Sequence, residues 1–540
     1  MVDRRTLADC VSHRTWRVLT PVFVVLALST SAIAFFFPLE IETRESTVWL
    51  HVLALREGVN IYDHAQVAFI NQNHGPFDPL FKLAIATMFP FLDAWHVARF
   101  PVLLLPFVFL LATWKLLGDL HQRSLPAAVY LGAIGYLFLM VSAKEFLFVG
   151  RSDATAALLL LPLIYLSVAP ASGPGQAAAL RGLVWGGLGT AVVLTNWRMA
   201  PTVLALLIFS VSRLYYGSKL RHRDAVVYLS ACVFASTAVF IPILFEHFDF
   251  DVSLYYQHFF GTYSKASGHG HRTYAHASAM WFLGSLLKPT ANPDNLKGGP
   301  VLLALAVYLL VPGKASVQNK VWFLLGSFVF AACALAFYLN YYGGGQWYFI
   351  PFLIVLWGFL CVNFPAMSAA RLSAVGVVMM VFLGANAGTV IAPSLWRGAT
   401  LSRAQAFMGE LRSLQLNHSI LSEDTFFFRT AYEGELIDMG DMISRIRRRG
   451  AYYGDEFNRT VDRHFERVRR DPPDYIVTGF TESPELRRFA AENYILVAQG
   501  PANLTANGSA ESRLFRRKDL AGPNLSGRQS AATANQRRKP

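Results

Sequence analysis

Charge is what this sequence has least of. Of its 540 residues only 15% are Asp, Glu, Lys or Arg, and 54% are hydrophobic. A soluble domain carries roughly a quarter charged residues. The shortfall falls in the first four fifths of the chain, and the mean hydropathy is +0.36. An ordinary soluble globular protein is thereby excluded, and the pattern is that of a polytopic membrane protein. Cysteine is also scarce. Cys10, Cys232, Cys333 and Cys361 all lie in or beside the apolar part. The polar C-terminal segment therefore holds neither a disulfide framework nor a CxxC metal site. No HExxH spacing and no internal repeat occur. No small-residue cleavage site follows the first apolar run, 18–37, which comes after Arg4, Arg5, Arg14 and Arg17. That run is too long for a signal-peptide core and reads as a retained first span.

The net charge of +13 does not point to nucleic acid. Much of the excess sits in short loops between apolar runs, where orientation in a membrane accounts for it. Arg537, Arg538 and Lys539 read as a solvated, disordered end. A span needs about 20 mainly apolar residues. Candidate spans are 18–37, 97–117, 126–143, 154–170, 182–195, 199–213, 224–245, 300–312, 321–340, 348–364 and 372–393, or about eleven helices. With a cytoplasmic N-terminus, the loops bearing Arg123, Arg181, Arg221, Lys314 and Arg371 all fall inside, as the positive-inside rule asks. The loops 38–96, 144–153, 246–299 and 341–347 then face outward, and so does everything after 393. Inward loops are short and basic, whereas outward ones are long and rich in His, Asp, Glu, Asn, Trp and Tyr. Function is expected on the outer face.

The chain divides into a transmembrane domain, 1–396, a small extramembrane α/β domain, 397–519, and a disordered tail, 520–540. In the second part, helical patterns at 404–416, 440–449, 455–470 and 484–493 alternate with short apolar runs at 419–421, 475–478, 494–497 and 513–516. Such alternation is an α/β signature.

Five constellations can carry chemistry. Glu40, Glu42, Arg44, Glu45, His74, Asp78 and Lys82 crowd the loop after the first span, and ionisable groups beside lipid are expensive. Glu42 and Glu45, three residues apart, can share a helical face. One of them can act as a general base on a hydroxyl, or both can be solvated charges that stop the helix sliding into lipid. Lys144, Glu145, Arg151 and Asp153 flank the apolar FLFVG. There Arg151 suits a phosphate, with Asp153 orienting it or binding a metal, or the charges form a structural ion pair. Arg198, beside Trp197, suits an anionic headgroup or simply snorkels. The outward loop 246–299 holds His258, His269 and His271, which are metal-ligand residue types or part of a flexible loop over a cleft. Finally, YYGGGQWY holds Gln346 and Tyr348 among aromatics, suited to sugar rings or to an interfacial belt.

In their order these elements resemble the GT-C superfamily of polytopic glycosyltransferases, in particular the bacterial relatives of protein O-mannosyltransferases and the lipid A aminoarabinose transferase. Glu45 is the acid after the first span, and LREGVNIYD is similar to the superfamily's "l-x-x-G-x-x-x-Y". NHGPFDPLFK resembles "h-x-P-l", Ala98–Arg99 match "a-R", and Arg151-Ser152-Asp153 fits "a-R-x-D". LTNWR stands where "l-t-K" is frequent, and WYFIPFLIV is similar to "R-Y-l-l-P". The resemblance covers 15–393. It departs in having Glu where Asp is commoner and Asn196 in place of Lys, which leaves Arg198 as substitute cation.

The resemblance implies a GT-C-like membrane glycosyltransferase whose donor is a polyprenyl-phosphate-linked sugar and whose acceptor is a glycan, lipid or protein hydroxyl. Glu45 or Glu42 would be the base, with Asp153 beside the reaction. Arg151 and Arg198, with Arg99 or Lys82, would meet the phosphate. His74, Asp78, Gln346 and Tyr348 would complete the substrate-binding set. Metal dependence stays open, with His258, His269 and His271 as candidate ligands. A bacterial inner-membrane location follows, with the C-terminal domain outside the cytoplasm. Two other classes remain. A transporter or flippase for a lipid-linked or anionic solute would place its site near the bilayer midplane and show repeats. A binding or assembly protein would tolerate loss of Glu45.

Overall fold

The computed structural model describes residues 4–38, 41, 45–61, 75–121, 125–142, 149–168, 176–196, 199–217, 222–248, 354, 357, 369–385, 398–422, 429–430, 454–478, 484–502 and 511–520. In chain order the described helices are α1 (Arg4–Phe36), α2 (Glu45–Arg56), α3 (Phe77–Met88), α4 (Ala94–His121) and α5 (Leu125–Ser142). They continue with α6 (Ser152–Val168), α7 (Gln176–Thr195), α8 (Ala200–Gly217), α9 (His222–Phe248), α10 (Ala369–Ala385) and α11 (Gly398–Gln415). Strand β1 (Ile420–Ser422) follows, then α12 (Gly454–Arg470), β2 (Tyr475–Thr478), α13 (Pro484–Asn493), β3 (Tyr494–Ala502) and β4 (Glu511–Arg517). The chain forms two compact units. One comprises Met1–Phe37 and Gln72–Trp396, the other Pro38–Asn71 and Arg397–Pro540.

The first unit is a helical bundle that is apolar outside as well as inside. Phe36, Phe107, Phe234 and Val381 are each more than half exposed, while Lys82, Arg99 and Asp153 are fully buried. This distribution suits a protein dissolved in lipid, where an outward Phe is at no disadvantage and a charge is. Among the described residues, four segments are long and apolar enough to cross a membrane: Arg14–Phe36, Ala94–Leu117, Gln176–Thr195 and His222–His247. Prolines within α1, α4, α6 and α9 are tolerable because neighbouring helices re-satisfy the freed backbone groups. Helix α1 packs on α4, α5 and α10; α4 also meets α5 and α6, α6 meets α7 and α8, and α7 meets α9. The short α3 contacts α4, α6 and α7, and this wedge position makes it important to the site.

The loop expected at 38–96 contains two helices, α2 and α3, of 12 residues each. At 1.5 Å per residue each extends about 18 Å, too short to register as a span. Helix α1 starts well ahead of its expected apolar run, because a hydropathy window marks only the lipid-facing stretch of a longer helix. The expected spans 300–312 and 321–340 lie outside the described residues, as does 348–364 apart from Ile354 and Trp357, both helical and buried.

In the second unit, a four-stranded sheet runs in the order β1-β2-β4-β3. β1 and β2 are parallel, with Ile420 opposite Tyr475, and β2–β4 and β4–β3 are antiparallel. Strand β2 is buried at every position, as expected of an inner strand, and α11 and α13 pack on β3. Helix α2 is tied to the same unit. The Trp49 indole N–H donates to the Arg429 carbonyl at 2.9 Å, and Arg56 donates to the Thr430 carbonyl at 2.9 Å. Helix α2 ends in a Schellman cap. Gly58 takes φ +74°, the Val59 N–H bonds the Ala54 carbonyl at 2.9 Å and the Gly58 N–H bonds Leu55 at 3.1 Å. The glycine of LREGVNIYD is thus explained, since a left-handed position after a helix favours a residue without Cβ.

Candidate active site

Six polar side chains from α3, α6, the turn before α6 and the residue after α7 gather inside the first unit. Asp78 and Lys82 stand one helical turn apart on α3, so both lie on one face of it. The Lys82 ammonium donates to Asp78 Oδ2 at 2.9 Å and to the Gly150 carbonyl at 2.7 Å. Asp78 Oδ1 accepts the Thr155 hydroxyl at 2.5 Å. Arg151 and Asp153 flank Ser152 where the turn enters α6, with Arg151 Nε 3.5 Å from Asp153 Oδ2. The Asn196 side-chain amide, just after α7, donates to Asp153 Oδ1 at 3.1 Å. All six are buried.

Two glycines let the backbones come this close. A Cβ on Gly150 would lie 2.8 Å from the backbone of Ala98 in α4. One on Gly75, ahead of α3, would overlap the Leu194 carbonyl in α7, and the Gly75 N–H bonds the neighbouring Thr195 carbonyl at 3.2 Å. The turn itself is held by Arg151 N–H to Val149 at 2.7 Å and Ala154 N–H to Arg151 at 3.2 Å. Asp153 lies in the first turn of α6, where the helix dipole favours a carboxylate.

The expected site residues are thus partly brought together. Asp153, Arg151, Asp78 and Lys82 form one cluster. Arg99, fully buried in α4, turns to the end of α1 and donates to the Ala34 carbonyl at 3.0 Å and the Phe37 carbonyl at 2.5 Å. It satisfies carbonyls that a helix terminus leaves open. Glu45 belongs to the second unit and opens α2. It is fully buried, and its Oε2 accepts the Ile41 N–H at 2.6 Å. Glu42, His74, Arg198, Gln346, Tyr348, His258, His269 and His271 lie outside the described residues. Thr155, Gly150 and the Asn196–Asp153 link were not foreseen. Their partners are 77, 68 and 43 positions away, and no spacing rule reaches that far.

The cluster sets two carboxylates against two cations. A divalent metal at Asp78 or Asp153 would have to compete with Lys82 or Arg151 for the same oxygens, a poor donor set for a cation. Among the described residues no group of three His, Cys, Asp or Glu is placed to hold a metal.

No protein-family model matches the chain, and no curated protein matches it. Solved structures do. Two crystal structures of ArnT, an aminoarabinose transferase from Cupriavidus metallidurans, share its fold, one bound to undecaprenyl phosphate and one in the apo state. The TM-scores are 0.55 and 0.56, at 13% sequence identity, and each match covers 93% of this chain and 99% of the other. The chain has an ArnT-like fold, and the resemblance drawn from its motifs holds at that level.

Proposed function

We propose that the chain is a membrane glycosyltransferase that moves a sugar from a polyprenyl-phosphate donor to an acceptor hydroxyl on the extracytoplasmic face. The observation that carries this reading is the buried Arg151–Asp153–Asn196 group on a fold shared with a protein whose crystal structure holds undecaprenyl phosphate. The acceptor oxygen attacks the anomeric carbon, its proton passes to Glu45 or Glu42, and the bond from that carbon to the phosphate oxygen breaks. The polyprenyl phosphate leaves with the bonding electron pair. Arg151, with Arg198, stabilises the negative charge that gathers on it. The planar guanidinium fork suits phosphate better than a point charge does, and removing one such donor typically costs about 10²–10³ in rate. Asp153 keeps Arg151 oriented, and Asn196 fixes Asp153. About eleven spans, an inner-membrane location and an outward C-terminal α/β domain belong to the same proposal, as does a glycan, lipid or protein acceptor.

Glu45→Gln is the decisive variant, because the amide oxygen still accepts the Ile41 N–H but cannot take a proton. The full chain in lipid nanodiscs, supplied with a labelled polyprenyl-phosphate sugar, is expected to lose transfer while its helix content and melting stay at wild-type values. Undiminished transfer in both Glu45→Gln and Glu42→Gln would remove the base from the scheme.

A further inference from the structure

Lys82 touches Gly150, and Asp78 touches Thr155. Those two contacts lie on either side of Arg151, Ser152 and Asp153. The ammonium and the carboxylate are bonded to each other at 2.9 Å, so both contacts issue from one fully buried unit. Gly150 also lies close to Ala98 of α4, where an added Cβ would meet the main chain at 2.8 Å. Pro79 lies between the paired residues in the first turn of α3, where a missing N–H disturbs no helical bond. The short helix is itself seated against α4, α6 and α7.

We infer that Asp78 and Lys82 are positioning residues: a buried ion pair that clamps residues 150 and 155 and so sets the backbone from which Arg151 and Asp153 act. Lys82 is then not a ligand of the donor phosphate. Two of its protons are spent on Asp78 and Gly150. The inference rests on the transferase reading above and deepens it by dividing the basic residues between phosphate binding and scaffolding. Displacing a reacting group by about 1 Å through a remote change can cost about 10² in rate, and a loss of that kind is expected here.

The test uses the full-length protein in nanodiscs. Undecaprenyl phosphate titration gives affinity and number of binding sites, and labelled donor gives kcat per binding site and KM. Thr155→Val keeps every charge, and Asp78→Asn and Lys82→Met each remove one. All three are expected to lower kcat per binding site by about 10–10²-fold, with donor KM and undecaprenyl phosphate affinity within about twofold of wild type. Thr155→Ser should recover most of the loss. Asp78→Asn/Lys82→Met should turn over faster than either single variant, because it leaves no lone buried charge. A variant that merely unfolds would lower the number of binding sites instead of the rate per site.

The inference is overturned if Lys82→Met weakens undecaprenyl phosphate binding tenfold or more while Asp78→Asn and Thr155→Val bind and turn over normally, for then Lys82 holds the phosphate. It is also overturned if all three variants match wild type. A wild-type protein that binds no undecaprenyl phosphate would bring down the transferase reading and this inference together. That result is told apart because it appears before any substitution is made.

Discussion

A carboxylate held among apolar helices must be matched by a cation or give up its charge, and the cluster around α6 meets that demand twice, with Lys82 on Asp78 and Arg151 on Asp153. Removing one partner of such a pair costs about 3–5 kcal/mol, much of it from the charge left behind. Arg151→Gln should therefore cost more in melting temperature than Arg151→Lys, which keeps the charge. Both should lose about 10²–10³ in transfer rate, because a lysine cannot reproduce the guanidinium fork. Transfer assays paired with thermal melts separate the two effects, and a fully active Arg151→Lys would mean that charge alone suffices. The charges of RSD were legible in the sequence because they interrupt an apolar stretch. The partners were not: Asn196 stood out only as a replacement for Lys, and its amide reaches Asp153 across 43 positions through the packing of α6 on α7.

Among elements, close backbone approach and capping decide what can change. Gly150→Ala would set a Cβ 2.8 Å from the Ala98 backbone, and overpacking of that kind costs about 1–3 kcal/mol. Since the same residue presents its carbonyl to Lys82, transfer should fall along with the melting midpoint. Gly58→Ala tests the cap of α2. A left-handed non-glycine residue costs about 1–3 kcal/mol, and the expected sign is faster proteolysis after Arg56, with Gly58→Asn affected less.

In the sheet, the Tyr494 hydroxyl donates to the Pro473 carbonyl at 2.6 Å, and burial pushes its ionisation above the ordinary tyrosine range. A raised folded value means that the stabilising contribution is complete below pH about 10 and is lost as pH climbs past it. Tyr494→Phe should cost about 1 kcal/mol near neutrality and flatten the alkaline decline, as followed by the strand signal in circular dichroism against pH. These elements were the most readable part of the chain. The expected 484–493 helix matches α13, and the short apolar run 475–478 coincides with β2, since short polar turns bound apolar runs there. Helices α2 and α3 leave little trace in the sequence, because 12 residues carry too few turns to register against the charges around them.

Over the whole molecule, exposed apolar faces and buried charges suit a membrane protein with an ArnT-like fold. The motif order made the fold legible despite 13% identity, because spans and the charges between them obey bilayer physics before they obey ancestry. Single-cysteine labelling in a cysteine-free background should find Arg221→Cys and Lys314→Cys reactive on one side and Ala506→Cys on the other. The most direct test of the central claim is titration of the purified full-length protein with undecaprenyl phosphate, read as thermal stabilisation and compared with undecaprenol, which has the same tail and no phosphate. Saturable stabilisation is predicted, about 2.7 kcal/mol at a hundredfold excess over Kd, specific to the phosphate and weakened by Arg151→Gln. Equal stabilisation by undecaprenol, or none by either lipid, would contradict the account.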